Sequence, residues 1–158
     1  MLRDSPVRCF PRGEVQQRPD PASRFPAMFE ALQNVLAEEN RVAYAIAFGS
    51  AARGSAGAHS DLDLALGLAG DARLTAREVG SLAARLEAAA GVPVDLVLLD
   101  EAPPGLAYRV FRDGRLILAR DPSALVARKA RAILEYLDFQ PIEELLARGA
   151  LGAAARGR

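Results

Sequence analysis

The sequence predicts an α+β fold in which a small mixed β-sheet has helices packed against it. Two observations support this prediction. Short apolar runs with strand periodicity alternate along the chain with segments whose apolar residues recur at helical spacing. Helix signals, such as the capping box that begins at Thr75 and the stop at Gly91, separate these segments. A chain of 158 residues suits one domain with a sizeable core, and we expect that domain to span residues 25–146.

The two ends of the chain are predicted to lie outside this domain. Residues 1–24 are rich in proline and arginine and show no periodicity, which predicts a disordered N-terminal tail. Residues 147–158 consist mainly of glycine, alanine and arginine and are predicted to form a flexible C-terminus.

The elements between these ends follow from periodicity, caps and turns. In chain order we expect a helix over 26–40, a strand over 42–48, a short helix after Gly49-Ser50, a strand over 61–69, a helix over 76–90, a strand from about Val94, a short helix over 106–111, a strand over 115–119 and a last helix that opens at Asp121.

The last helix is predicted to be interrupted at Pro141 and to bury one apolar stripe. That stripe comprises Leu125, Val126, Ile133, Leu134 and Leu137. The basic residues Arg128, Lys129 and Arg131 lie away from it and are interpreted as a solvated face, with a binding patch for an acidic partner or phosphate as the alternative.

Charge and composition disfavour several classes of protein. Twenty Lys and Arg residues balance twenty Asp and Glu residues, so the chain has no overall basic field for holding nucleic acid. The single cysteine excludes an internal disulfide, the N-terminal residues lack the apolar stretch of a secretory signal, and no apolar run is long enough for a membrane span. We therefore expect a cytoplasmic protein without a membrane partner.

Two aspartates occupy an apolar strand at 61–69, where carboxylates fit badly. Leucine alternates with Asp61, Asp63, alanine and glycine, so both carboxylates emerge on one face, about 7 Å apart along the backbone. Asp95 begins the next strand as a lone carboxylate among apolar residues and can join them. Like charges at about 4 Å repel by roughly 4 kcal/mol at an effective dielectric of 20, so a cation is expected among the three.

Carboxylate ligands in this number suit Mg²⁺ or Mn²⁺. Two such ions could clamp the attacking and leaving oxygens of a displacement at phosphorus. A carboxylate that touches only one ion would retain an oxygen that can draw the proton from an incoming hydroxyl.

Gly49-Ser50 supplies the second half of the predicted site. A strand that ends in Gly-Ser and enters a short helix presents backbone N–H groups and a hydroxyl to an anion, and glycine permits close approach. These groups would hold the phosphates of a nucleoside triphosphate, and Arg53 could add a charge-assisted contact. Each motif has a plainer interpretation: Gly-Ser as a turn, Asp61 as a strand-end residue facing water, Arg53 as a counter-ion of Asp61 or Asp63, His59 as a solvated loop residue, and Ser60 as a residue bonding its own turn.

Together these residues resemble the polymerase-β-like nucleotidyltransferase superfamily, and within it the minimal nucleotidyltransferases. The matching block is Gly49-Ser50, ten residues, then Asp61-x-Asp63, with Arg53-Gly54, Ser60 and the downstream run Val94-Asp95-Leu96-Val97. The resemblance implies that Asp61 and Asp63 bind two catalytic metal ions, with Asp95 as third ligand and base. It also implies that Gly49 and Ser50 hold the triphosphate of ATP, whose α-phosphorus is attacked by an acceptor hydroxyl.

The resemblance further implies a partner. Minimal nucleotidyltransferases commonly act as antitoxins that silence a HEPN-domain RNase toxin by adding AMP to a toxin tyrosine and by binding it. The expected function is therefore a protein adenylyltransferase of this antitoxin type, in a complex with the toxin. Two alternatives remain open: a small-molecule adenylyltransferase of the aminoglycoside type, and a noncatalytic subunit that binds the partner.

Overall fold

The computed structural model describes residues 21–52 and 60–156, and the side chains of residues 26–50 and 60–142. Its elements are α1 (Pro21–Glu38), β1 (Val42–Phe48), α2 (Gly49–Ala52), β2 (Leu62–Leu68), α3 (Ala76–Ala90), β3 (Val94–Leu98), α4 (Pro104–Asp113), β4 (Arg115–Ala119) and α5 (Pro122–Arg156). None of the helices in this described part is long and apolar enough to cross a membrane.

The four strands form one mixed sheet in the order β3-β2-β1-β4. β1 lies antiparallel to both β2 and β4, and β2 lies parallel to β3. The predicted α+β class is therefore confirmed. The central strands β1 and β2 are almost entirely buried, because helices cover both faces of the sheet.

Each face of the sheet has its own core. α1 and α3 pack on one face around leucines of alternate positions in β2, namely Leu62, Leu64 and Leu66. α4 and α5 pack on the other face around Ala65, Leu99 and Val110. The alternation seen in the sequence of β2 therefore separates the two cores, and it places Asp63 on the α4–α5 face together with Ala65.

Several predicted bounds match the structure. β1, α3 and β4 have the residues that the sequence predicted. The capping box of α3 is present, with the Thr75 side chain accepting from Glu78 N–H, and Gly91 ends the helix at φ +68°. Asp121 caps α5 by accepting a hydrogen bond of 2.9 Å from the N–H of Ala124.

The ends of the outer helices differ from the prediction. α1 begins at Pro21 and contains Pro26, so residues 21–24 of the predicted tail are helical, while residues 1–20 lie outside the described part. α5 continues through Pro141 to Arg156, so the predicted interruption is wrong and the predicted flexible C-terminus is helical as far as that residue. Proline removes one N–H and crowds the preceding turn, a local cost that both helices accommodate.

The predicted buried stripe of α5 is wrong except at Leu125, which is half-buried against the core, and the interpretation of Arg128 as part of a solvated face is wrong. Val126, Leu134 and Leu137 are 66%, 64% and 56% exposed, whereas Arg128 is only 9% exposed and Ala132 is fully buried. The Arg128 side chain donates a 2.7 Å hydrogen bond to the carbonyl of Leu99. α5 thus turns a face of small residues and one guanidinium group toward the sheet, because Ala132 allows close approach and Arg128 satisfies a buried carbonyl.

A glycine in β2 makes room for a buried tyrosine. Tyr44 is 2% exposed, and burial raises the pKa of its phenol to about 12. A Cβ atom on Gly67 would overlap the Tyr44 ring. We expect Gly67→Ala to lower the free energy of unfolding by about 2 kcal/mol through overpacking, as measured by urea denaturation.

The matched control for this substitution is Gly80→Ala on the exposed side of α3, where an added Cβ meets nothing within 4 Å. Alanine there should stabilise the protein by about 0.5–1 kcal/mol, since glycine is costly in a helix interior. An equal response of the two variants would contradict the packing argument.

Candidate active site

One edge of the sheet brings the predicted site residues together. β1 ends at Phe48, whose backbone is in register with Asp63 near the start of β2. β3 runs parallel to β2 from the same edge, with Asp95 in register with Asp63. We call this edge, with Gly49, Asp61, Asp63 and Asp95, the carboxylate edge.

The three carboxylates differ in burial. Asp61, immediately before β2, and Asp95 are exposed, whereas Asp63 is half-buried. The backbone of Leu62 donates a 2.9 Å hydrogen bond to the carbonyl of Pro93, which ties the start of β2 to the start of β3. In-register residues on neighbouring strands are about 4.8 Å apart and point to the same face, so Asp63 and Asp95 emerge side by side.

Gly49 lies directly against the carboxylate of Asp63. Its φ is +68°, and a Cβ atom at this position would overlap Oδ2 of Asp63 and lie 3.0 Å from Cγ. The Gly-Ser strand end predicts that this glycine allows close approach of a phosphate. The structure adds a second requirement, because the glycine leaves space for the carboxylate itself.

The structure describes two of the other residues predicted near the nucleotide, Ser50 and Ser60. Ser50 is half-buried in α2, which contacts β1, β2 and α4, and Ser60 is half-buried just before Asp61. Both make interactions. Arg53 and His59 lie outside the described residues. Ser50 and Ser60 therefore lie in the chain segments next to the carboxylate edge, and their contacts with a nucleotide stay a prediction.

The donor chemistry of the edge fits a hard divalent cation. All three candidate ligands are carboxylates, which Mg²⁺ and Mn²⁺ prefer, and two of them occupy one register position on adjacent strands. In the described part of the chain, no three His, Cys, Asp or Glu side chains are gathered as a ready-made metal group. The backbone thus places the carboxylates on a common edge, and their convergence on an ion would require rotation of exposed side chains.

Comparison with known families identifies this arrangement. The family model "Polymerase beta, Nucleotidyltransferase" matches residues 30–123, more than half of the chain, and spans the whole carboxylate edge. The chain belongs to this nucleotidyltransferase family. No curated protein is significantly similar to it in sequence.

Solved structures share the fold of this nucleotidyltransferase. A chain of a toxin-antitoxin crystal structure with AMP-PNP is 22% identical, with a TM-score of 0.68 over 78% of this chain and 98% of that chain. A structure of a tri-AMPylated Shewanella oneidensis HEPN toxin in complex with an MNT antitoxin gives 18% identity and a TM-score of 0.62 over 84% and 99%. A candidate minimal nucleotidyltransferase is 33% identical, with a TM-score of 0.50 over 63% and 97%.

Proposed function

We propose that this protein is an antitoxin-type nucleotidyltransferase that transfers AMP from ATP to a hydroxyl group of a HEPN-domain toxin. The observation that supports catalysis best is the position of Asp63, which lies against Gly49 and in register with Asp95. The toxin-antitoxin likeness supports the partner: it covers nearly the whole of the matched chains, one from a structure with AMP-PNP and one from a complex whose toxin carries AMP groups.

The residues at the carboxylate edge have distinct roles in this proposal. Asp61, Asp63 and Asp95 would hold two Mg²⁺ or Mn²⁺ ions, which when bound neutralise the phosphates and stabilise charge in the transition state. The backbone after Gly49 and the hydroxyl of Ser50 hold the triphosphate. Arg53 and Ser60 are proposed as further nucleotide contacts. Gly49 keeps the loop close to the carboxylates, because it has no side chain to push them away.

The proposed reaction is a displacement at the α-phosphorus of ATP, in which one bond forms and one breaks. The acceptor hydroxyl oxygen bonds to the α-phosphorus of ATP while the bond from that phosphorus to the bridging oxygen of the β-phosphate breaks. Pyrophosphate leaves with the electron pair, and a carboxylate oxygen of Asp95 takes the hydroxyl proton. We also propose a cytoplasmic location, where ATP is available as the donor.

The destination of labelled AMP tests the proposal. We expect the purified protein, Mg²⁺ and ATP labelled at the α-phosphate, added to lysate of the source cells, to label one protein band, and mass spectrometry to identify it as a HEPN-domain protein. Label on a small molecule would instead support an aminoglycoside-type enzyme. ATP binding without any transferred label would support a noncatalytic binding subunit.

A further inference from the structure

The longest helix of the described chain leaves an apolar stripe unpacked. Val126, Ile133, Leu134 and Leu137 are 66%, 37%, 64% and 56% exposed, and Ala130 between them is also exposed. We call these five residues the α5 stripe. On the opposite side of the helix, Arg128, Ala132 and Tyr136 face the sheet and α4.

We propose that the α5 stripe is the docking surface for a helix of the protein that receives AMP. This inference rests on the proposed function, because it assigns the surface through which the acceptor is presented to the carboxylate edge.

The spacing of the stripe indicates a helical occupant. Val126, Ala130, Ile133 and Leu137 follow one another at intervals of four, three and four residues, which is the spacing of a seam between two packed helices. Alanine in the middle of the seam allows the two backbones to approach closely. The seam spans about 17 Å at 1.5 Å per residue, enough for about three turns of a partner helix.

The α5 helix runs toward the carboxylate edge. α4 runs from the end of β3 to Gly114, which lies close to the backbone of Ala47 at the carboxylate edge. Arg128 bonds the carbonyl of Leu99 at the start of this path. Further along, the Tyr136 ring stacks on Tyr108 of α4 at a centroid distance of 4.2 Å. α5 therefore runs in the same direction as α4, on the sheet face that carries Asp63.

The size of the stripe favours the acceptor over a second copy of this chain. The stripe has five exposed side chains, whereas a specific interface takes about 20–30 residues from each partner and buries at least roughly 1,200 Å² in total, so two stripes facing each other are too small to hold a dimer. A stable partner must therefore contact more of the protein than the stripe. An acceptor that docks on the stripe and also places its hydroxyl at the carboxylate edge contacts the protein at both places, and the second contact adds the area that the stripe alone lacks.

Charged substitutions in the α5 stripe test docking of the acceptor separately from nucleotide binding. We expect Leu134→Glu/Leu137→Glu to lower the rate of protein labelling in dilute source-cell lysate by at least about tenfold, as loss of central apolar contacts does at interfaces, with recovery as the lysate is concentrated. Affinity for AMP-PNP, measured by calorimetry, should be unchanged because the carboxylate edge is intact. Ile142→Glu is the matched control: Ile142 is a 52% exposed apolar residue of the same helix that lies off the stripe, and labelling should change less than about twofold.

Each other outcome overturns the inference. Labelling by the stripe variant at the wild-type rate would show that the acceptor docks elsewhere. A wild-type dimer in sedimentation that the stripe variant converts to monomers, with labelling unaffected, would show that a second copy covers the stripe. Absence of labelling by the wild type would overturn the proposed function and, with it, this inference.

Discussion

Asp63→Asn is expected to lower the rate of AMP transfer by about 100- to 1,000-fold while leaving the protein folded. The substitution keeps the shape of the side chain but removes the negative charge that neutralises a catalytic cation, and loss of one well-placed electrostatic contact commonly costs 100- to 1,000-fold. Asp63 lies in register with Asp95, so removing its charge also relieves repulsion between carboxylates. The variant should therefore stay folded, because this relief opposes the loss of the contact that the Asp63 side chain makes in the protein.

The measurement compares initial labelling rates and thermal unfolding for wild type, Asp61→Asn, Asp63→Asn and Asp95→Asn. Asp71→Asn is the control, because Asp71 is an exposed aspartate beyond the opposite end of β2, and its transfer rate should stay at the wild-type level. Transfer by Asp63→Asn within tenfold of wild type, in a folded protein, would remove Asp63 from the catalytic assignment.

Much of the fold follows from local patterns in the sequence. β2 shows strict alternation, and α3 carries both a capping box and a terminal glycine, so these elements lie where the sequence placed them. The candidate site was predictable for the same reason. A Gly-Ser strand end and an Asp-x-Asp strand start belong to adjacent strands, and antiparallel pairing of β1 with β2 brings them to one edge.

The face of α5 that packs inward was not predictable from periodicity. An apolar stripe shows that a helix has a side that avoids water, but it does not show whether that side meets the protein's own sheet or another molecule. The packed side of α5 instead depends on tertiary details: the small Ala132, fully buried, and the Arg128 side chain, which donates to the Leu99 carbonyl. A hydrogen bond from an arginine to a buried carbonyl 29 residues away in the sequence leaves no local signal.

Gly49→Ala is expected to lower the free energy of unfolding more than an alanine substitution at another described glycine with the same backbone conformation. A φ of +68° disfavours every residue with a Cβ by about 1–2 kcal/mol, and at Gly49 the added methyl would also overlap the carboxylate of Asp63. The carboxylate must then rotate away, or the loop after β1 must move. We expect AMP transfer to fall by about 100-fold or more, since small displacements of catalytic groups have effects of this size, and the free energy of unfolding to fall by about 2–4 kcal/mol.

Gly91→Ala is the control that separates the backbone penalty from the overlap with the Asp63 carboxylate. Gly91 also has a φ of +68°, but an added Cβ there meets nothing within 4 Å, so this variant carries the backbone penalty alone and should retain full transfer activity. A double-mutant cycle then tests the contact directly. If the methyl of Gly49→Ala acts through Asp63, its effect on unfolding should shrink toward the Gly91→Ala value when Asp63→Ala removes the carboxylate. A penalty that stays undiminished in the Asp63→Ala background would show that Gly49 serves the backbone alone, and that the close contact between loop and carboxylate does not hold the site in place.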